Sequence, residues 1–65
     1  PKMYFIQIFD VYGKMYEIDG LRTEFKNHDV AWSFMKSYKK SYPLYSFALT
    51  SQNKASSKKI IYRYI

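Results

Sequence analysis

Two carboxylate patterns in the first half of the chain have the residue types for chemistry. Asp10 or Asp19, followed by Glu24-Phe25-Lys26, reproduces a loose Asp…Glu-x-Lys spacing. In metal-dependent nucleases, carboxylates so placed hold Mg²⁺ while the lysine supports charge on the transition state. Short patterns of this kind arise readily by chance, and 65 residues are too few for the larger sheet such enzymes use. His28-Asp29 has the side chains of an acid–base pair, but adjacent residues of a helix do not face one another. His28 therefore reads as an exposed residue of a first helical turn. It is the only histidine, there is no cysteine, and Gly13 and Gly20 are the only glycines. A histidine cluster, a thiolate zinc site, a disulfide and a glycine-rich phosphate loop are all excluded. The expectation is a protein without catalytic residues, metal or cofactor.

Charge is the more informative chemistry. The net charge is +6, and all five acids (Asp10, Glu17, Asp19, Glu24, Asp29) lie in the first 29 residues. From Val30 onward there are seven bases and no acid: Lys36, Lys39, Lys40, Lys54, Lys58, Lys59 and Arg63. Such a one-sided distribution points to a phosphate-binding surface, because lysines that neutralise phosphates release counterions and so gain affinity without reading sequence. A plainer account is also available. Lys39 and Lys40 fall where a helix C-terminus favours cations, and Lys58 and Lys59 would keep an edge strand from aggregating.

Aromatic residues accompany these bases. Trp32 falls outside the apolar arc of its helix, near Lys39 on the helical wheel and one turn before Lys36. There it could stack on a base or anchor a protein, or lap over the core margin and make a cation–π contact with Lys36. Tyr62 and Tyr64 alternate with Arg63, so they share one face of a strand. That face could be a stacking platform or simply core beneath the helix.

The elements that must position these groups are read from periodicity. Met3–Val11 is β-branched and aromatic, and both its faces are largely apolar, as in a central strand. A turn at Tyr12-Gly13 leads to a strand over Lys14–Ile18. Asp19-Gly20 then reads as a type I′ hairpin turn into a third strand over Leu21–Phe25, or as a bulge in one long strand. Asn27–Tyr42 is the single helix. Asn27 is its N-cap, Asp29 lies in its first turn, and Pro43 stops it. Val30, Ala31, Phe34, Met35, Tyr38 and Tyr42 form its apolar stripe. Tyr45–Thr50 alternates as a half-buried strand, 51–57 is a polar loop, and Lys58–Ile65 is the last strand.

The fold expected is a single α+β domain over residues 1–65. Its antiparallel sheet has four or five strands (βββαββ, or ββαββ), with one helix packed on one face. A helix of about 14 residues is about 21 Å long and can cover only one face, so apolar surface is left on the other. A chain this short buries only about 60% of its unfolded surface, and its 14 aromatic residues must supply much of the core. No apolar run is long enough to span a bilayer, and the start lacks the form of a signal peptide, so a cytoplasmic location is expected.

Two functions follow from this reading. The first is a small nucleic-acid-binding domain (DNA or RNA). Lys36, Lys39, Lys40, Lys54, Lys58, Lys59 and Arg63 would meet phosphates and Trp32 would stack. The second is a protein-interaction module: a homodimer closed through the uncovered sheet face, or a small subunit or inhibitor docked on a larger partner with an acidic surface.

Overall fold

A computed structural model describes residues 2–52 and 59–64. The strands are β1 (Met3–Phe9), β2 (Met15–Tyr16), β3 (Glu24–Phe25), β4 (Ser46–Gln52) and β5 (Lys59–Tyr64), with helix α1 (His28–Ser41) between β3 and β4. The order βββαββ is the first of the two the sequence allows. All pairings are antiparallel; β1 and β4 are interior, β5 is one edge, and β2 and β3 share the other side of β1.

The first turn is built around Asp10. Its carboxylate oxygen Oδ1 accepts from the backbone N–H of Tyr12 (2.9 Å) and of Lys14 (3.0 Å), and its carbonyl accepts from Gly13 N–H (3.0 Å). Gly13 takes φ 81°, a conformation that a residue with a Cβ adopts only with strain.

The Asp19-Gly20 hairpin does not form. Both β2 and β3 pair with β1 and not with each other: Ile8 is opposite Tyr16, and Phe5 is opposite Glu24. Tyr16 and Glu24 are eight positions apart where their partners are three apart, so five residues are looped out. The arrangement is nearer to one interrupted strand than to a hairpin. A type I′ turn needs positive φ at both central residues, but of these two only Gly20 (φ 87°) has it, and among the described residues none other than glycine does. The turn closes instead with Leu21 N–H donating to the Ile18 carbonyl (3.3 Å). Ile18 and Leu21 then pack against the core, a gain of apolar burial that a straight hairpin would have left in solvent.

Helix α1 begins where Asn27, in extended backbone, accepts at its side-chain oxygen from Val30 N–H (3.1 Å). It ends with Tyr42 N–H donating to the Tyr38 carbonyl (2.8 Å). Its buried residues are Ala31, Met35 and Tyr38. The buried stripe is narrower than predicted and rotated: Val30 and Phe34 are exposed at one margin, while Trp32 is half-buried at the other.

Ala31, Met35 and Tyr38 pack with Ile6, Ile8, Phe25, Phe47 and Leu49 into one core. The registers place Ile6 beside Leu49 and Ile8 beside Phe47, so these strand residues share the helix-side face of the sheet. The opposite face carries Phe5, Gln7 and Phe9 from β1, Ala48 and Thr50 from β4, and Ile60 and Arg63 from β5. No described helix or strand lies over it. Ala48 and Thr50 are nevertheless buried, because β4 is flanked on both sides by strands bearing larger side chains. The prediction of a half-buried β4 is therefore too modest. The Tyr38 hydroxyl donates to the Arg22 carbonyl (2.8 Å) and so ties the looped-out segment to the helix.

Candidate nucleic-acid interface

Four helix residues at spacings of four, His28, Trp32, Lys36 and Lys40, form one i, i+4 row that winds from the flank of α1 at His28 and Trp32 to its solvent face at Lys40. At 1.5 Å per residue the row runs for about 18 Å. Its N-terminal half is aromatic and its C-terminal half cationic. This flank lies against β5, since the Trp32 and Tyr62 rings meet at 4.3 Å between centroids, 66° apart in plane.

Rings continue along the seam in both directions. Tyr4 of β1 meets His28 edge-on (5.6 Å, 79°), and Tyr62 meets Tyr64 in the same manner (6.0 Å, 88°). His28 and Trp32, one helical turn apart, are nearly parallel, at 15° and 6.4 Å. The contiguous run is therefore Tyr4, His28, Trp32, Tyr62 and Tyr64, with Tyr64 packed on the core. Tyr62 remains 39% exposed and the His28 side chain 47%.

His28 Nδ1 lies 3.1 Å from Asp29 Oδ1. The expectation that these neighbours do not meet is thus corrected: in the exposed first turn the two side chains can bend toward each other. The contact orients the His28 ring, while the Asp29 carboxylate, 96% exposed, keeps negative charge at that end of the row.

The bases predicted to act together do not all converge. Lys36 and Lys40 are exposed on the helix. Lys59 is exposed and pairs with Ser51, which pairs with Tyr4, so it stands on the helix-side face near the His28 end. Lys39 is half-buried and donates to the Pro43 carbonyl (3.0 Å) and the Tyr45 carbonyl (2.7 Å). It ties down the chain just beyond the helix, a role that neither reading of Lys39 from the sequence gives. Arg63 is opposite Ala48 and faces the other side of the sheet. Lys54 and Lys58 lie outside the described residues. The predicted cation–π contact of Trp32 with Lys36 is replaced by the Tyr62 ring. Among the described residues the cation over rings is Arg22, at 4.6 Å from Phe25 and 5.9 Å from Phe34.

The sequence places neither Tyr4 nor His28 in an interface, and His28 reads from it only as an exposed residue of the first helical turn. The signal for His28 was the unbroken spacing of four through 28, 32, 36 and 40; for Tyr4 there was none, because its contact with the helix depends on the tertiary fold.

Three of the five acids gather elsewhere. Glu17, Asp19 and Glu24 line a cleft of about 400 Å³ between β1 and the looped-out segment. Asp10, the remaining candidate from the nuclease-like spacing, is outside that cleft and holds the first turn. Among the described residues no group of three or more His, Asp or Glu side chains is arranged to hold a metal ion. No described helix is long and apolar enough to cross a membrane. Comparison with protein-family models, with curated proteins and with solved structures returns no match.

Proposed function

We propose that the protein is a small nucleic-acid-binding domain that uses the α1–β5 seam. The observation that carries this reading is the row His28, Trp32, Lys36 and Lys40 beside the Tyr62 ring, which sets stacking surfaces and phosphate-binding cations along one line. Lysines there gain affinity by counterion release, and aromatic rings add sequence-tolerant stacking. Among the described bases the set is smaller than the basic half of the chain, with Lys54 and Lys58 outside the described residues. Lys36, Lys40 and Lys59 meet phosphates, and Lys39 and Arg63 are set aside by their positions.

The test is fluorescence anisotropy of labelled DNA and RNA oligonucleotides over a range of salt. The reading expects log K to fall with log[salt] at about 0.7 to 0.9 per phosphate contact, so a slope of about −2 to −3 for three lysines. No binding at 50 mM salt would rule it out.

A second reading, a protein-interaction module, draws on the far face of the sheet. There Phe9 is half-buried, Ile60 is 43% exposed, and Met15, opposite Phe9, is 69% exposed. Glu24 and Arg63 stand on that same face at its two edges, so two copies placed face to face would bring opposite charges together. Light scattering over a dilution series tests it: a concentration-dependent dimer supports this reading, and a monomer throughout opposes a homodimer.

A further inference from the structure

We propose that the end of the sheet bearing the 10–14 turn is a tip that docks on an anionic phospholipid surface. Strand register defines this end. Phe9, the last residue of β1, is opposite Met15 on one side and Ser46 on the other. Two turns project beyond that row: 10–14, between β1 and β2, and 42–45, between α1 and β4. They stand side by side, because Tyr16 meets Tyr45 edge-on (5.5 Å, 70°) and Tyr45 in turn lies parallel to Tyr42 (6.1 Å, 11°).

Among the described residues, the two most exposed large apolar side chains are both here, Tyr12 at 87% and Leu44 at 76%. Val11, Met15 and Tyr16 are exposed beside them. Neither Tyr12 nor Leu44 packs on the core, so the fold gains no burial from them. Apolar area held in water gains by transfer to an apolar medium. Tyrosine suits the border of that medium, since its ring is apolar and its hydroxyl can stay wet.

The backbone of both turns is prepared for the loss of water. A segment entering a lipid surface needs partners of its own for its N–H and carbonyl groups. In the first turn Asp10 N–H donates to the Lys14 carbonyl (2.8 Å), and Gly13 N–H to the Asp10 carbonyl (3.0 Å). The N–H groups of Tyr12 and Lys14 donate to Asp10 Oδ1. In the second turn Tyr42 and Tyr45 N–H donate to the Tyr38 and Tyr42 carbonyls, and Pro43 has no N–H. Lys39 Nζ donates to the Pro43 and Tyr45 carbonyls. Its capture beyond the helix thus satisfies the carbonyls on either side of Leu44.

Charge selects the surface. Lys14 is exposed within the first turn, and Lys40 is exposed where α1 ends at this tip. Asp10 is the sole acid in the two turns, and its carboxylate is engaged by two N–H groups. A few inserted apolar groups bind a bilayer weakly, and cations near an anionic leaflet add to them, so the two signals act together. Apart from Lys40, the tip shares no residue with the α1–β5 seam, so the two proposals stand or fall separately.

The test is sedimentation of the whole chain at 50 mM salt with vesicles of phosphatidylcholine alone or of phosphatidylcholine and phosphatidylserine. Binding to the anionic vesicles is expected to be about tenfold or more tighter than to the neutral ones. Tyr12→Ser combined with Leu44→Ser should weaken anionic-vesicle binding about tenfold and leave oligonucleotide binding within about twofold. Lys14→Glu, an independent change at an exposed side chain, should weaken it about fivefold or more. Circular dichroism checks that each variant is folded. Trp32, the only tryptophan, lies nine residues before the end of α1, about 14 Å back from the tip. Its emission should escape quenching by brominated acyl chains, whereas the emission added by Tyr12→Trp should be quenched.

No sedimentation with anionic vesicles overturns the proposal, as does binding that ignores the Tyr12→Ser, Leu44→Ser change. Equal binding to neutral vesicles overturns the anionic surface as partner. Strong quenching of Trp32 in the native chain overturns the tip as the inserted end. Self-association relieved by Tyr12→Ser with Leu44→Ser, without vesicle binding, assigns the tip to a second copy instead.

Discussion

The Trp32 ring of α1 rests against the Tyr62 ring of β5 at 4.3 Å, joining the flank of the helix to an edge strand. All of β5 except its last described residue, Tyr64, is exposed, so this contact is a large part of what seats the strand against the helix. Tyr62→Ala removes a half-covered aromatic and its edge-to-face partner. The expected loss is about 1 to 3 kcal/mol of stability, read by chemical unfolding, with Trp32 emission shifted to the red.

Lys39 and Lys36 are three residues apart and should behave oppositely. Lys39→Ala deletes two charge-assisted hydrogen bonds to the Pro43 and Tyr45 carbonyls. It should cost about 1 to 2 kcal/mol of stability and leave oligonucleotide affinity nearly unchanged. Lys36→Ala should leave stability within about 0.5 kcal/mol and reduce the salt slope of binding by about one. Parallel unfolding and anisotropy measurements separate the two.

Tyr38 gives the fold an alkaline limit. Burial pushes its phenol above the ordinary value of 10.0, against the opposing influence of the nearby Arg22 charge. As pH rises past 10.0 the unfolded phenol loses its proton first, so this group's contribution is complete below that pH and declines above it. Tyr38→Phe should cost about 1 kcal/mol near neutral pH through the lost hydrogen bond. The stability gap between the two proteins should then narrow from about pH 10 upward in a series of urea melts.

Gly20 isolates a backbone effect. A Cβ placed there meets nothing within 4 Å, so only its φ of 87° resists substitution. Gly20→Ala is expected to cost about 1 kcal/mol, with the helix signal in circular dichroism unchanged.

The sequence carried the helix almost to the residue because its signals are local: the Asn27 cap, acid in the first turn, and Pro43 beyond the end. The strands were found by period, but β2 and β3 are only two residues long each. Of the two paths the sequence leaves open, Asp-Gly favours the hairpin locally, but burial of Ile18 and Leu21 decides for the path nearer one interrupted strand along β1. The site was half legible. Trp32, Lys36, Lys40 and Lys59 could be picked out by type and position. The separation of Arg63 from them follows from strand register, and the capture of Lys39 by two carbonyls follows from where Pro43 sends the chain. The Tyr4–His28 contact joins residues 24 positions apart, which no local pattern encodes.

The measurement that bears most directly on the proposed interface is an amide-shift titration with a short single-stranded oligonucleotide at 50 mM salt. Perturbations are expected along His28, Trp32, Lys36 and Lys40 and across Lys59–Tyr62, with little change at Asp19–Glu24. An unchanged spectrum, or shifts centred on Phe9, Ala48 and Arg63 of the opposite sheet face, would contradict it.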